Sequence, residues 1–432
     1  MQGKVRRAPT DEFTIYGVLL HEDRRPQYES STNSSSCPEV PGLSIESSSI
    51  FSAHHFLQHK PPPSCSKMTD ISKLVASQRP DLDPYISIYK HIHSHPELSG
   101  LEAETAKLVV SHLKKISSDF DIHEGIGGHG VAAVLRNGDG PTVLVRADMD
   151  ALPELEATGV DYASKVRMKD LQGVDQPVMH ACGHDMHTTA LLAAAELLVS
   201  ADSRKAWSGT LLLVWQPAEE TGTGAQAMVD DGLYKQVPIP DVVLAGHVMP
   251  SRAGTVGIKK GLTLSSADCL KITMYGRGGH ASQPHHLIDP VVMAASTIVR
   301  LQTIVSRETD PGENTVLTVG SIQAGETANV IADEAVIQLN IRTQTPATRE
   351  KVLSSIERIV KAESLATGAT KDPKIEKFES YPFTFNDEET TAKLGESFAK
   401  HFSEGPQKFT AGIHQLLNSE DFTNLGELHE TA

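Results

Sequence analysis

Residues 209–216, GTLLLVWQ, run from Leu211 to Trp215 without a polar break. A strand with no alternation has no face to offer water, so both of its faces must be covered. PTVLVRAD (141–148) and DVVLAGHV (241–248) read the same way, and GVAAVLR (130–136) adds a fourth strand. Helical periodicity fills the gaps: 83–98 with a proline stop, 101–116, the Ala/Leu-rich 188–200, and GAQAMVDDGLY. Buried strands alternating with helices predict an α/β class, a largely parallel sheet with helices on both faces.

A second pattern starts near residue 254. DCLKITMYG, NTVLTVGSI, AVIQLNIR and PKIEKFES read as strands, and 289–305 and 347–366 as helices. The order βαββαβ predicts a ferredoxin-like α+β unit. It spans 254–380 and is inserted in a larger unit made of 68–253 and 381–432. Residues 1–67 are Ser/Pro-rich (ESSTNSSSCPEV, KPPPSCSK) and are expected to be a disordered, dispensable extension, ordered pattern starting after Met68.

At 432 residues the chain is too long for one ordinary core, which fits two domains plus tails. The net charge of −16 gives no basic face for nucleic acid. No apolar run reaches membrane-spanning length. Cys37, Cys65, Cys182 and Cys269 follow no disulfide spacing. A reducing, cytoplasmic location is the expectation.

Four polar motifs fall where apolar strands end: VLVRADMDALP (Asp148, Asp150), HACGHDMH (180–187), WQPAEE (Glu219, Glu220) and AGHV (His247). In doubly wound sheets ligands bind at the carboxyl ends of strands, so these endings converge on one crevice. Cys182 and His184 flank Gly183, which lets the backbone bend and aim thiolate and imidazole at one point. His180, His184 and His187 could instead line one helix face, but Gly183 weakens a helix there by roughly 1 kcal/mol. Asp185 reads as a cap for the following helix. Adjacent glutamates can divide two jobs, one as metal ligand and one as the base for a water proton. In the inserted unit, glycines precede His280 in GRGGHASQPHH, and Asn329 and Arg342 offer a donor and a cationic fork for a substrate carboxylate.

Taken in order, HSHPELSGLE, VRADMDALP, MHACGHDMHTT, WQPAEE, GHV, GRGGHASQPHHLIDPV, ANVIAD and NSEDF resemble the metal-dependent amidohydrolase/peptidase family that includes N-acyl-amino-acid amidohydrolases, hippurate hydrolase and auxin-conjugate hydrolases. The resemblance covers about residues 80–425. It implies a catalytic domain with two divalent metal ions per subunit and an inserted dimerisation, or lid, domain that makes the protein a homodimer. Cys182 would bridge the metals, with His184, Glu220 and His247 as further ligands. Glu219 would be the general base, Asp150 a catalytic group beside the metals, and His280 the lid histidine that polarises the scissile carbonyl, across a dimer interface. Asn329 and Arg342 would bind the substrate carboxylate. The implied reaction is hydrolysis of an N-acyl amino acid or a small amide conjugate. Thiolate favours zinc, and carboxylates with a bridging water also suit manganese. The resemblance departs after Phe422. The family continues for several tens of residues there and supplies one last histidine, whereas His429 stands in a non-matching context. A non-catalytic relative with an incomplete metal site, or a dipeptidase of the same chemistry, are the rival expectations.

Overall fold

The computed structural model describes residues 13–14, 18–20, 71–250, 254–402, 408–411 and 419–426. A six-stranded sheet organises the larger unit. Its order is Val18–Leu20, Val242–Ala245, Thr142–Asp148, Gly209–Gln216, Gly130–Asn137 and Asp121–Ile126. Only the three strands around Thr142–Asp148 run parallel; the others pair antiparallel. The sheet is therefore mixed rather than largely parallel. One antiparallel pair comes from GIGGHG: Gly127 and Gly128 take positive φ (62° and 105°) and turn Asp121–Ile126 back onto Gly130–Asn137 as a hairpin.

The continuous apolar strands are covered on both faces. Leu211, Leu213 and Trp215 pack with Val109, Leu113 and Leu192 of the helices Ala103–Ile116 and His184–Val199. Leu212 and Val214 face the other way, onto Ala225, Met228, Phe422 and Leu425. Each fully buried large side chain contributes about 1.5–3 kcal/mol, so these two layers fix the sheet.

Two strands lie within the segment expected to be disordered. Phe13–Thr14 pairs with His247–Val248, and Val18–Leu20 with Val242–Ala245. The sequence TIYGVLL around them is rich in β-branched, aromatic and apolar residues and suits an edge strand. The rest of the 1–67 expectation lies outside the described residues.

A second sheet orders Val316–Gln323, Glu334–Thr343, Ser266–Tyr275 and Lys374–Tyr381, all antiparallel. With helices Pro290–Thr303 and Pro346–Ala366 in sequence between the strands, this is the ferredoxin-like βαββαβ arrangement. Both helices pack on one face: Met293, Leu301, Ile356 and Val360 meet Ile272, Met274, Ile337 and Ile341. Asp289 and Thr345 cap them, accepting backbone N–H bonds of the first turns.

Candidate metal centre and cleft

Backbone geometry sets the site at the carboxyl ends of the three parallel strands. After Met179 the chain turns through Gly183 at φ +85°, and a Cβ there would lie 2.2 Å from Val248 Cγ2. Glycine is obligatory at this point, and it lets the helix begin at His184. His180 is off the helix. Asp185 is not the cap: it sits inside the first turn, and its Oδ2 holds His93 Nδ1 at 2.7 Å.

After Gln216, Ala218 adopts φ 51°, a left-handed conformation that costs a non-glycine residue about 1–3 kcal/mol. Its N–H donates to Glu102 (2.8 Å), and the Ala218 carbonyl accepts from Thr223 and Gly224. This held kink directs Glu219 and Glu220 toward His184.

Six of the sequence candidates, Cys182, His184, Glu219, Glu220, His247 and Asp150, close on one another. Cys182 Sγ lies 3.4 Å from His247 Nε2. His184 Nε2 lies 3.8 Å from both Glu219 Oε2 and Glu220 Oε1, and 3.6 Å from Asp148 Oδ2. His184 Nδ1 donates to Asp150, to its carbonyl at 3.0 Å and its Oδ1 at 3.1 Å, so Nε2 presents the other face of the ring. The remaining oxygen of Asp150 accepts from Ser99 and from the Glu220 N–H.

His184 Nε2 and Glu220 Oε1 are buried and have no hydrogen-bond partner. Each such orphan costs about 1–3 kcal/mol. Their separation is too long for a hydrogen bond, yet close to the sum of two metal–ligand bonds of about 2.0–2.2 Å. Ligand atoms of Cys182, His184 and His247 lie within 4.8 Å of one another, as do those of His184, Glu219 and Glu220, and of Asp148, His184 and His187. The donor set of thiol, imidazole and carboxylate fits a divalent transition ion.

Protonation tells the same story. Burial and neighbouring His187 push His247 down to about 3, leaving a neutral imidazole able to ligate. Burial opposes charge on His184, but Asp148, Asp150 and Cys182 outweigh it and raise it. Burial raises Glu219 strongly, Glu420 adding to it, and burial lifts Glu220 to about 7 against the pull of His184. The cluster thus retains protons that a bound cation would displace.

Sequence reading missed the scaffold beneath. Arg146 is almost wholly buried and holds Asp148 (2.6 Å), Glu420 (2.9 Å) and Asp421 (3.4 Å), with Nε donating to Gln216. Asp148 in turn takes His187 Nδ1 at 2.6 Å, and His187 Nε2 accepts the Val248 N–H. The available signal was an arginine inside an otherwise apolar strand, VLVRAD, since a buried cation requires buried anions.

Cys182, Glu219, Glu220 and His247 form one side of a cavity of about 590 Å³. Arg342, Asn340, Glu379 and Tyr381 line the other side, and the Tyr381 hydroxyl donates to the Glu219 carbonyl. Arg342 therefore shares one cavity with Cys182, Glu219, Glu220 and His247. His280 and Asn329 do not line it. They lie exposed together on a short two-stranded antiparallel ladder, where Gly279–His280 pairs with Val330–Ile331 and the Ala281 N–H donates to the Asn329 carbonyl.

A thiol, an imidazole and paired glutamates facing a cleft, with His184 buried behind them, fit the class of metal-dependent hydrolases. The chain belongs to peptidase family M20/M25/M40, whose model matches residues 144–427. It is 38% identical over 347 residues to the hippurate hydrolase of Campylobacter jejuni, covering 80% of this chain and 85% of that one. It is 35% identical over 357 residues to IAA-amino acid hydrolase ILR1-like 4 of Arabidopsis thaliana (81% and 76% covered). A structure described as a putative aminohydrolase from Staphylococcus aureus superposes with a TM-score of 0.65 at 29% identity, covering 81% of this chain and 85% of that one. A dinuclear metal-binding M20 peptidase from Bacillus subtilis gives 0.57 at 26% identity, covering 78% and 84%. Among the described residues, no helix is long and apolar enough to cross a membrane.

Proposed function

We propose that this chain hydrolyses the amide bond of N-acyl amino acids or small amide conjugates, using two divalent ions per subunit, manganese or zinc. The observation that carries this is the buried, unpartnered pair His184 Nε2 and Glu220 Oε1 beside the Cys182–His247 contact. Relatives named hippurate hydrolase, N-acetyl-L-cysteine deacetylase and IAA-amino acid hydrolase support the substrate class. In this reading 68–253 and 381–432 form the catalytic unit and 254–380 the lid.

Cys182, His184, Glu220 and His247 would hold the metals. When bound, these would supply Lewis acidity toward a water and the amide carbonyl. Glu219 is the proton carrier: its buried carboxyl faces His184, and its raised proton affinity suits taking a proton from the attacking water and giving one to the departing nitrogen. Asp150 fixes the His184 ring through Nδ1, and Asp148 is held in place by Arg146 and His187. Arg342 receives the substrate carboxylate. The exposure of His280 and Asn329 away from this cleft supports a homodimer in which each lid completes the partner's site. The free thiols Cys182 and Cys269 fit a reducing cytoplasm.

Glu219→Gln tests the reading. Turnover should fall by at least about a hundredfold while bound metal is unchanged, because the substitution removes a base and not a ligand. Full activity in that variant would refute the assignment.

A further inference from the structure

The helix-free face of the lid sheet carries a polar row of which the proposed hydrolysis uses only Arg342. Register places Arg342, Ala267 and Tyr381 on one rung and Asn340, Cys269 and Glu379 on the next rung of the same face. Hydrogen bonds connect the first three members of the row. Arg342 Nε donates to Asn340 Oδ1 (3.1 Å) and Asn340 Nδ2 donates to Cys269 Sγ (3.2 Å), with Glu379 next to Cys269 on the neighbouring strand.

Glu379 reaches this face through a β-bulge. The pairing of Ser266–Tyr275 with Lys374–Tyr381 shifts between Cys269 and Leu270, leaving Phe378 as the extra residue. Strict alternation from Ile375, which packs against the lid core, would point Glu379 toward the helices. The bulge reverses the parity and turns both Glu379 and Tyr381 into the cavity. Among the described residues Glu379 has no ion pair, so an unneutralised carboxylate faces the cleft from the far end of the row that begins with the Arg342 cation.

We propose that this face selects amide substrates whose amino-acid part carries a cationic side chain in addition to its α-carboxylate, the carboxylate on Arg342 and the cation on Glu379. This specificity rests on the amidohydrolase reading of the same cavity. Two strand spacings and one same-face step put the two Cα atoms about 12 Å apart. Strand side chains stand roughly perpendicular to the sheet, so the guanidinium and the carboxylate rise from the two ends with about this span between them, the length of one extended, lysine-like side chain with a hydrogen bond at each end. A substrate with an acidic side chain would set like charge against Glu379 and be rejected.

The test compares α-N-acetyl-L-lysine, its neutral counterpart α-N-acetyl-L-norleucine and α-N-acetyl-L-glutamate, on the full chain with manganese or zinc added. The wild type should favour the lysine over the norleucine compound by about tenfold in kcat/KM, the size of one charged hydrogen bond. Glu379→Gln should bring that ratio to within about twofold, and Glu379→Lys should shift preference to the glutamate compound. Hydrolysis without a lysine preference, or a preference that survives Glu379→Gln, would overturn the specificity and leave the amidohydrolase reading intact. A chain that hydrolyses none of the three would overturn both.

Discussion

Arg146→Met probes the buried scaffold with a predictable size. The Arg146 side chain is 1% exposed and touches three carboxylates, those of Asp148, Glu420 and Asp421. Methionine fills much of the volume but leaves these anions without their cation. Breaking a buried ion pair by removing one partner costs about 3–5 kcal/mol. Both tryptophans, Trp207 and Trp215, belong to this unit, and Trp215 lies on the strand beside Arg146, paired with Ala147. Their fluorescence in urea therefore reports on the affected part of the molecule. With a slope near 2.5 kcal/mol per molar, the midpoint should drop by roughly 1–2 M in chelator-treated protein. The sign of the pH dependence follows. Without the guanidinium, the carboxylates' folded-state pKa values rise. Stability linked to a raised acid is present at low pH and lost as pH climbs. The deficit should accordingly be larger at pH 8 than at pH 5. A midpoint change below about 0.3 M, or a deficit equal at both pH values, would refute the reasoning.

Three further outcomes are expected. Cys182→Ser should lower metal affinity by at least about tenfold in a competition titration with a chromophoric chelator, because a hydroxyl is a poorer transition-metal ligand than a thiolate. Gly183→Ala forces a Cβ to 2.2 Å from Val248 at positive φ, and should both destabilise the fold by about 1–3 kcal/mol in urea melts and reduce bound metal by elemental analysis. Glu102, raised to about 7 mainly by burial, with Asp150 adding to it, stabilises the protonated form; that contribution, about 3 kcal/mol, is complete at pH 4 and lost as pH rises through 7. Glu102→Gln should flatten this loss, seen as a smaller fall in Tm between pH 5 and pH 8.

Much of this was legible in the sequence because burial leaves direct marks. GTLLLVWQ and DVVLAGHV announce strands covered on both faces, and polar residues at their ends announce a crevice. Strand direction leaves no such mark in an apolar run. For the pair Asp121–Ile126 and Gly130–Asn137 it was encoded in the glycine turn of GIGGHG. The convergence of Cys182, His184, Glu220 and His247 could be inferred because each follows a strand or opens a helix at the same edge. Arg342 could be placed by chemistry, but Glu379 could not, since its orientation depends on a bulge at Phe378 that alternation rules do not foresee. Arg146, Glu102 and Tyr381 escaped for a related reason. Each has a partner far off in sequence, 274, 116 and 162 residues away, that only the fold brings near.

Metal stoichiometry measured together with turnover tests metal-dependent amide hydrolysis by this chain most directly. Elemental analysis of the purified full chain after reconstitution with manganese or zinc should find two ions per subunit, with hydrolysis of a simple N-acyl amino acid in the same sample. A strong chelator should remove both together. Hydrolysis that persists after the ions are gone, or a chain that binds none and hydrolyses nothing, would contradict it.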